Sequence, residues 1–344
     1  ENDRDVIVLV PEISLTPQVL SIFHARYGDK VAVFHSGLSL GERNDEYKRA
    51  DRGEAKIVIG TRSAVFAPLH NLGLIIMDEE QENTYKSERT PKYNTKDVAH
   101  FRCKYNKALF LMTSATPSLE AYSNALKGKY VLCELNERFG DAKLPHVITV
   151  DMKQEMKNGN KSPISSKLKE LISETIDNGK QAILLINRRG YNTFIACNDC
   201  GHVITCPNCS ISLTYHSTNN RLTCHYCGYT KSLDNVCPEC HSENIRYSGY
   251  GTQKIEDELS YLFPNARILR MDADTTSAKF SHEKLFNAFA NHEYDIMIGT
   301  QMVAKGLDFD NVTLVGVVNA DNSLYDESYN SAERCFDLIT QVVG

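Results

Sequence analysis

The chain contains 344 residues, of which 42% are hydrophobic and 24% are charged, and this composition is that of an ordinary globular protein with enough apolar sequence for two cores. Its net charge of −6 argues against a protein that coats DNA, but not against one that gathers its basic groups in a channel. The longest apolar runs, at 6–10 and 312–318, are far below the ~20 residues of a membrane-spanning helix, and no signal peptide is visible.

The first part of the chain alternates short apolar runs with helix-like stretches. We predict strands at 6–10, 31–34, 56–59, 74–77 and 109–112, and helices at 16–27 and 40–52. Apolar strands separated by helices favour a parallel sheet that is covered on both faces. Ligands of such sheets bind beyond the carboxyl ends of the strands, so the polar residues that follow each strand are candidates for a functional site.

A linker and a second alternating domain follow. We predict a linker over 141–165 with one embedded strand at 146–150. The next strands are predicted at 182–186, 266–269, 295–298 and 313–318, and the next helices at 166–177, 253–262 and 282–290. The alternation is interrupted between 197 and 245. The predicted organisation is therefore a first domain over 1–140, a second over 166–196 and 246–344, and an insertion over 197–245.

The insertion holds eight of the eleven cysteines, in four Cys-x-x-Cys pairs. These are Cys197/Cys200, Cys206/Cys209, Cys224/Cys227 and Cys237/Cys240. Each pair supplies half of a tetrahedral zinc shell, so four pairs predict two structural zinc sites, whereas a redox dithiol needs only one pair. The inner two pairs enclose 14 residues, while sequential pairing would join Cys200 to Cys206 across only five, so we predict nested pairing. Reduced thiols favour a cytoplasmic protein.

Three carboxylates end the predicted strand at 74–77: Asp78, Glu79 and Glu80, followed by Gln81. Three acids at one strand end repel one another unless a cation or a proton-transfer task compensates. In phosphate-loop motors the first such Asp holds the Mg²⁺ of Mg–ATP, and the following Glu polarises the attacking water. An acidic loop without catalytic function is the alternative.

Small polar motifs follow other predicted strands in a regular order. They are Gly60-Thr61-Arg62-Ser63, Thr113-Ser114-Ala115-Thr116, Gly299-Thr300-Gln301 and Lys305-Gly306-Leu307-Asp308. Backbone N–H groups, hydroxyls and guanidinium groups suit phosphate oxygens. Each motif alone is weak evidence for a phosphate-binding function, but the order and spacing of the motifs make a coincidence improbable.

Taken together, the motifs resemble those of a superfamily 2 helicase, specifically of the PriA family of bacterial replication-restart DNA helicases. The resemblance runs from VPEISLTPQ through GTRSAVFAP, DEEQ, TSATPSLE, NRRGY, the CxxC pairs, GTQK and GTQMVAKGLDF to AERCFDLITQVVG. It implies an α/β fold of two RecA-like helicase lobes, with the two-zinc insertion in the second. It also implies ATP-dependent 3′→5′ unwinding at stalled forks, primosome assembly and reloading of the replicative helicase.

The resemblance implies a role for each matching residue. Asp78, Glu79, Glu80 and Gln81 would form the catalytic motif, and Ser114, Ala115 and Thr116 the motif that couples hydrolysis to movement. Nucleotide-binding residues would be Gly306, Asp308, Gln341 and Gly344. Residues of the DNA track would be Thr61, Arg62, Ser63, Tyr85, Lys86, Tyr93, Arg188, Arg189, Thr300, Gln301 and Lys305.

Tyr85, Lys86 and Tyr93 belong to a segment similar to the family's aromatic-rich loop, in which rings interleaved with lysines would stack on single strands. Two exposed tyrosines on a polar loop are the alternative. The chain departs from the family at Gln81 and at Leu307, where the family commonly has histidines. Gln81 can form hydrogen bonds but cannot carry a positive charge.

Some elements that the family uses for hydrolysis are not in these residues. The sequence contains no Gly-x-x-x-x-Gly-Lys-[Ser/Thr] phosphate loop, and it ends at Gly344, where the family continues into paired arginines. We therefore expect these 344 residues alone to lack ATPase activity. The expected cofactors are two Zn²⁺ per chain, with Mg²⁺ and ATP in a full-length protein.

The expected partners are forked and single-stranded DNA, together with primosome and single-strand-binding proteins that dock through the zinc insertion, and no membrane. Two other functions compete with this interpretation. One is a zinc-ribbon binding module on an inactive RecA-like scaffold. The other is a different superfamily 2 DNA translocase, against which the four-pair insertion argues.

Overall fold

The computed structural model describes residues 4–11, 17–87, 90–137, 144–186, 194–197, 199–209, 212–216, 221–224, 227–232, 234, 236–248, 252–271, 281–300, 309–325 and 328–343. The chain forms two compact units, Glu1–Ala142 and Lys143–Gly344. In the described parts of both units, no helix is long and apolar enough to cross a membrane.

The first unit is built on a five-stranded parallel sheet. Its strands are β1 (Asp5–Leu9), β2 (Val31–Phe34), β3 (Ile57–Gly60), β4 (Leu72–Met77) and β5 (Leu109–Met112), in the spatial order β2-β3-β1-β4-β5. Ile7, Leu9, Ile75 and Met77 have no exposed surface, because helices or loops cover the central strands. The carboxyl ends of β1, β3, β4 and β5 therefore meet at one edge.

Four helices connect or follow these strands: α1 (Pro17–Tyr27), α2 (Leu40–Asp51), α3 (Thr95–Asn106) and α4 (Leu119–Leu126). Their starting points are set by capping side chains. Ser39 and Glu42 form a reciprocal capping box at α2, while Asn94 and Ser118 cap α3 and α4. These caps place the first turns of α3 and α4 beside the carboxyl edge of the sheet.

The second unit contains a parallel sheet, a small antiparallel sheet and five helices within the described residues. In chain order the elements are α5 (Met152–Lys157), α6 (Ser166–Asp177), β6 (Gln181–Ile186), β7 (Phe194–Cys197), β8 (Thr214–His216), β9 (Arg221–Thr223), β10 (Thr230–Ser232), β11 (Ile245–Ser248), α7 (Thr252–Leu262), β12 (Ile268–Met271), α8 (Ser281–Ala290), β13 (Ile296–Gly299), β14 (Val312–Val318) and α9 (Ser331–Val343). The parallel sheet has the order β12-β13-β6-β14, and β6 is buried along its whole length.

The antiparallel sheet has the order β10-β9-β8-β7-β11 and contains the cysteine pairs. Its core is small and is formed by Ile195, Ile204, Leu213 and Leu222 with two buried cysteines. A core of this size is marginal for a separately folded element, so additional cross-links are needed.

One predicted strand is wrong. Residues 146–150 form no strand, and the next regular element is the helix α5. Val147 and Ile148 are about half exposed, and in the described part of the chain no strand pairs with them. An apolar run becomes a strand only where a neighbour accepts its backbone hydrogen bonds, and the run alone could not show whether that neighbour exists. The strand predicted at 266–269 lies two residues later, as β12.

The close approach of β3 to β2 gives a stability test at Gly60. A Cβ atom there would lie 2.2 Å from the carbonyl oxygen of Phe34 and 2.8 Å from the Cβ of Ala64, and neither can move away freely. We expect Gly60→Ala to lower the free energy of unfolding by roughly 1–3 kcal/mol, measured by urea denaturation. Gly41→Ala is the matched control, because a Cβ there meets no described atom within 4 Å. Equal stability of the two variants would contradict the proposed close packing.

Candidate functional site

The acidic segment lies at the carboxyl edge of the first sheet, directly after β4. The Asp78 N–H donates to the Leu9 carbonyl at the end of β1, over 2.9 Å. The Thr113 hydroxyl, at the end of β5, donates to Oδ1 of Asp78 over 2.7 Å. Asp78 is thus held by the strands on both sides of β4. Its position follows from the strand order, and Thr113 orients its carboxylate.

Glu79 has an unusual backbone conformation. Its φ angle is +50°, in the left-handed region that non-glycine residues rarely adopt, and its carbonyl accepts a hydrogen bond from the Glu82 N–H at 2.9 Å. This conformation ends the strand and turns the following residues back towards β5. Strained backbone of this kind is maintained only where its surroundings fix it, and it is common at functional sites.

Gln81 connects the acidic segment to the segment after β5. Its Nε2 donates to the carboxylate of Glu79, and its Oε1 accepts a 2.6 Å hydrogen bond from the Ser114 hydroxyl. The same Ser114 oxygen accepts from the Thr116 N–H at 2.9 Å. The structure therefore brings together the predicted catalytic Glu79 and Gln81 with the predicted coupling residues Ser114 and Thr116. Ala115 lies between these two.

The carboxylate of Glu80 turns away from this group, so the expectation of three acids facing one site is corrected. Glu80 is only 4% exposed and forms an ion pair with Lys96 of α3. Its Oε1 also accepts from the Ser118 N–H at 2.6 Å. The residue order could not reveal this, because the compensating cation is 16 positions away on another element.

Tyr85 is also corrected, because it is buried rather than available for stacking. Its side chain is 3% exposed, and its hydroxyl lies 2.6 Å from the Asp78 carbonyl and 3.0 Å from the Leu9 carbonyl. Burial first, and then the negative charges of Asp78 and Glu79, raise the pKa of Tyr85. Tyr85 therefore supports the acidic segment from within the core.

Tyr93 and Phe66 form the aromatic surface of this region. Their rings meet edge to face, with centroids 5.0 Å apart, and Phe66 is 52% exposed. Arg62 donates to the Lys86 carbonyl at 2.9 Å and hydrogen-bonds Tyr93, so its guanidinium group is engaged within the loop. Burial is the largest influence on Tyr93 and raises its pKa. Phe66 lies within the GTRSAVFAP motif, for which the family resemblance implied DNA-binding roles only at Thr61, Arg62 and Ser63.

The remaining predicted DNA-binding residues of this unit differ in accessibility. Lys86 and Ser63 are exposed, whereas Thr61 is 8% exposed and its N–H donates to the Phe34 carbonyl over 2.9 Å. Lys86 pairs with Asn94 in an isolated antiparallel bridge, and the Ser87 N–H donates to the Tyr93 carbonyl at 2.8 Å. The segment 86–94 is thus closed at its base.

In the second unit, Thr300 follows β13 and Gln341 lies on α9, and both are half-buried. The other residues predicted for DNA or nucleotide binding lie outside the described residues: Arg188, Arg189, Gln301, Lys305, Gly306, Asp308 and Gly344. Leu307 lies outside them as well.

The cysteines form two groups of four in the nested arrangement. One group is Cys197, Cys200, Cys237 and Cys240, and the other is Cys206, Cys209, Cys224 and Cys227. Within each group all ligand atoms lie within 4.8 Å of one another. The Sγ–Sγ distance is 3.5 Å between Cys197 and Cys240, and 3.6 Å both between Cys200 and Cys237 and between Cys206 and Cys227. Tetrahedral zinc with Zn–S bonds of about 2.3 Å needs sulfurs about 3.8 Å apart, so both groups fit zinc.

Backbone amides around the cysteines favour the thiolate form that binds metal. The N–H of Tyr229 is the main influence that lowers the pKa of the Cys227 thiol, to about 7. His202 and Ser242 donate backbone N–H groups that act in the same direction on Cys200 and Cys240, but burial and the neighbouring thiols raise the pKa of both of these thiols overall. Each donor lies two residues after its cysteine, which is the geometry of a turn built to hold a bound metal ion.

Replacement of single cysteines should separate the two metal sites. We expect two zinc ions per chain by elemental analysis, one in Cys206→Ser, and still two in Cys133→Ser, since Cys133 belongs to neither group. Chelation should expose the backbone of β7–β11 to hydrogen exchange and leave both parallel sheets protected, because metal binding there supplies folding free energy. Two zinc ions retained in Cys206→Ser would contradict this assignment.

Two family models match parts of the chain. Residues 1–125 match the DEAD/DEAH box helicase family, and residues 206–231 match the PriA DNA helicase Cys-rich region domain, which spans the second group of cysteines. Among solved structures, the DUF1998 helicase MrfA bound to DNA and AMPPNP resembles 98% of this chain with a TM-score of 0.52 and 13% identity, and this chain covers 40% of it. At that identity the likeness supports the fold alone.

Curated relatives align along the whole chain. The replication restart protein PriA of Bacillus subtilis (strain 168) is 52% identical over 341 residues, and that of Synechocystis sp. is 46% identical over 352. Each alignment covers 99% of this chain and 42% of the relative, so the chain spans less than half the length of these two relatives. Over its own length, this chain is therefore homologous to the PriA replication restart proteins, and the family resemblance of its motifs is confirmed.

Proposed function

We propose that these residues form the motor region, with its zinc insertion, of an ATP-dependent 3′→5′ DNA helicase that recognises stalled forks and restarts replication. The observation that supports this most directly is the arrangement around Gln81. It hydrogen-bonds Glu79 of the acidic segment and Ser114 of the segment after β5. Through these hydrogen bonds a change at either segment would be transmitted to the other, as a motor requires.

In this proposal the acidic residues divide their tasks. Asp78 would hold Mg²⁺, because carboxylate oxygens are its preferred protein ligands and Thr113 fixes the orientation of this one. Bound Mg–ATP would supply the phosphoryl group for hydrolysis. Glu79 would accept the proton of the attacking water, and Gln81 would sense the state of Glu79 through its amide group.

DNA would pass over the exposed aromatic surface of Phe66 and Tyr93. Exposed Lys86 lies in the same loop region, where its ammonium group would contact the phosphate backbone. Arg62 would act indirectly, by supporting Tyr93. This differs from the expectation drawn from the motif, since Tyr85 has no face available for a base.

The zinc insertion suits protein partners better than a DNA backbone. Between Cys197 and Cys240 the chain carries two basic residues, Arg221 and Lys231, against three acidic ones, Asp199, Asp234 and Glu239. Each zinc bound by four thiolates adds negative charge. We propose that primosome and single-strand-binding proteins dock here, in the cytoplasm, where thiols stay reduced.

Glu79→Gln tests the hydrolytic assignment in a full-length PriA protein that contains this stretch. We expect DNA-stimulated ATP turnover to fall about a hundredfold or more, with ATP binding retained, because the variant loses the base but keeps the side-chain shape. Glu134→Gln, at an exposed position outside the site, is the control. Full turnover in Glu79→Gln would contradict the assignment of Glu79 as the base, whereas no DNA-stimulated turnover in the unaltered full-length protein would favour the alternative, an inactive RecA-like scaffold that carries a zinc module.

A protein of these 344 residues alone should not hydrolyse ATP. Phosphate-loop N–H groups and their lysine supply most of the nucleotide affinity in this fold, and the sequence contains no such motif. The measurement is phosphate release with and without single-stranded DNA. DNA-stimulated release that Asp78→Ala abolishes would show that the nucleotide site is wrongly assigned.

The aromatic surface gives a separate test of DNA binding. We expect Phe66→Ala and Tyr93→Ala each to weaken binding of labelled oligothymidylate by roughly 5- to 100-fold in fluorescence anisotropy, since stacking contributes about 1–3 kcal/mol per base. Tyr105→Ala is the matched control, because that ring is 80% exposed on α3. Equal weakening in all three variants would argue against a specific stacking surface.

A further inference from the structure

The buried ion pair between Glu80 and Lys96 is a second connection from the acidic segment, and the residue motifs do not assign it. The Glu80 side chain is 2% exposed and that of Lys96 is 19% exposed. A carboxylate at this depth persists as an anion only if it is paired and hydrogen-bonded. Both Glu80 oxygens are occupied, one by the Ser118 N–H and the other by Lys96 Nζ and the Ser118 hydroxyl.

These contacts join three elements at one point. Ser118 is the N-cap of α4, where its hydroxyl accepts from the Ala121 N–H at 3.2 Å. Lys96 is the second residue of α3, and its Nζ lies 3.5 Å from the Ser118 hydroxyl. The Glu80 N–H donates to the Thr113 carbonyl over 3.2 Å. Glu80 therefore fixes the acidic segment to α3, to α4 and to the end of β5.

Glu79 and Gln81 flank this anchored residue on either side. The left-handed backbone of Glu79 and the 2.6 Å contact from Ser114 to Gln81 both require the chain at Glu80 to stay in place. Loss of Lys96 would leave a buried carboxylate without its cation. That carboxylate would then have to move towards water, and this change would disturb its two neighbours.

Lys96 also lies next to the base of the loop that carries Tyr93. Its backbone N–H donates to the Asn94 side chain at 3.0 Å, and Asn94 pairs with Lys86 to close the segment 86–94. The helix cap and the ion pair thus meet in one residue. A displacement of the loop would therefore reach Glu80 through Lys96.

We propose that Lys96 is a positioning residue for ATP hydrolysis, which acts through Glu80 to hold Glu79 and Gln81 in place, and that Glu80 itself contacts neither metal nor attacking water. This inference rests on the proposed helicase function. It assigns to Glu80 a different task from that of its two acidic neighbours.

The kinetic test uses a full-length PriA protein that contains this stretch. We expect Lys96→Met to lower kcat for DNA-stimulated ATP hydrolysis about tenfold or more, with KM for ATP within about twofold. Lys104→Met is the matched control, since Lys104 is an exposed lysine of the same helix. The double variant Glu80→Gln/Lys96→Met removes both buried charges and should recover part of the lost kcat, because no unpaired charge remains.

Hydrogen exchange in the 344-residue chain provides a readout that does not depend on activity. Lys96→Met should accelerate amide exchange at 79–82 and at Ser118 about tenfold or more, and Lys104→Met should leave both unchanged. If Lys96→Met does not fold, the double variant Glu80→Gln/Lys96→Met is compared with the unaltered chain instead. We then expect the Ser118 amide to exchange faster in the double variant.

The outcomes separate the two proposals. Unaltered exchange at 79–82 in Lys96→Met, or an unaltered kcat, would overturn the positioning role alone. A loss of kcat in Glu80→Gln/Lys96→Met as large as the loss in Lys96→Met alone would also overturn it. Absence of ATP turnover in the unaltered full-length protein would instead overturn the proposed function, and this inference with it.

Discussion

The position of β4 between β1 and β5 determines the geometry of the whole acidic segment. In a parallel sheet the carboxyl ends of neighbouring strands lie side by side, so the residue after β4 meets groups from both neighbours. Asp78 follows β4 and contacts both neighbouring strands, since its N–H donates to the Leu9 carbonyl at the end of β1 and its carboxylate accepts a hydrogen bond from Thr113 at the end of β5. Any slip in strand register would separate these groups, and the site would be lost without any change in its own residues.

Repulsion among three adjacent carboxylates is resolved by giving each a different partner. Asp78 has a hydroxyl, Glu79 has the amide of Gln81, and Glu80 has the ammonium group of Lys96. The left-handed backbone at Glu79 makes this separation possible, because it changes the direction of the chain between the first and third acid. The third acid is neutralised by the ammonium group of Lys96, and it is also the most deeply buried of the three.

Sequence reasoning worked where a property depends on neighbouring positions and failed where it depends on distant ones. The strand at 31–34, the helix at 166–177 and the nested cysteine pairs follow from local periodicity and loop length. The burial of Tyr85 and the partner of Glu80 depend on side chains that only the folded chain brings near. For the same reason, residues 146–150 resemble a strand but have no strand to pair with among the described residues.

The zinc insertion can interrupt an α/β domain because its two ends lie together. β7 and β11 pair in antiparallel fashion, with Phe194 opposite Ser248, so the chain leaves and returns at adjacent positions. An element connected in this way adds little constraint to the sheet that carries it, and its own small core is supplemented by two metal sites. The parallel sheet is stabilised instead by burial of β6 along its whole length. The two parts of this unit therefore rely on different forces, and metal loss should affect one without the other.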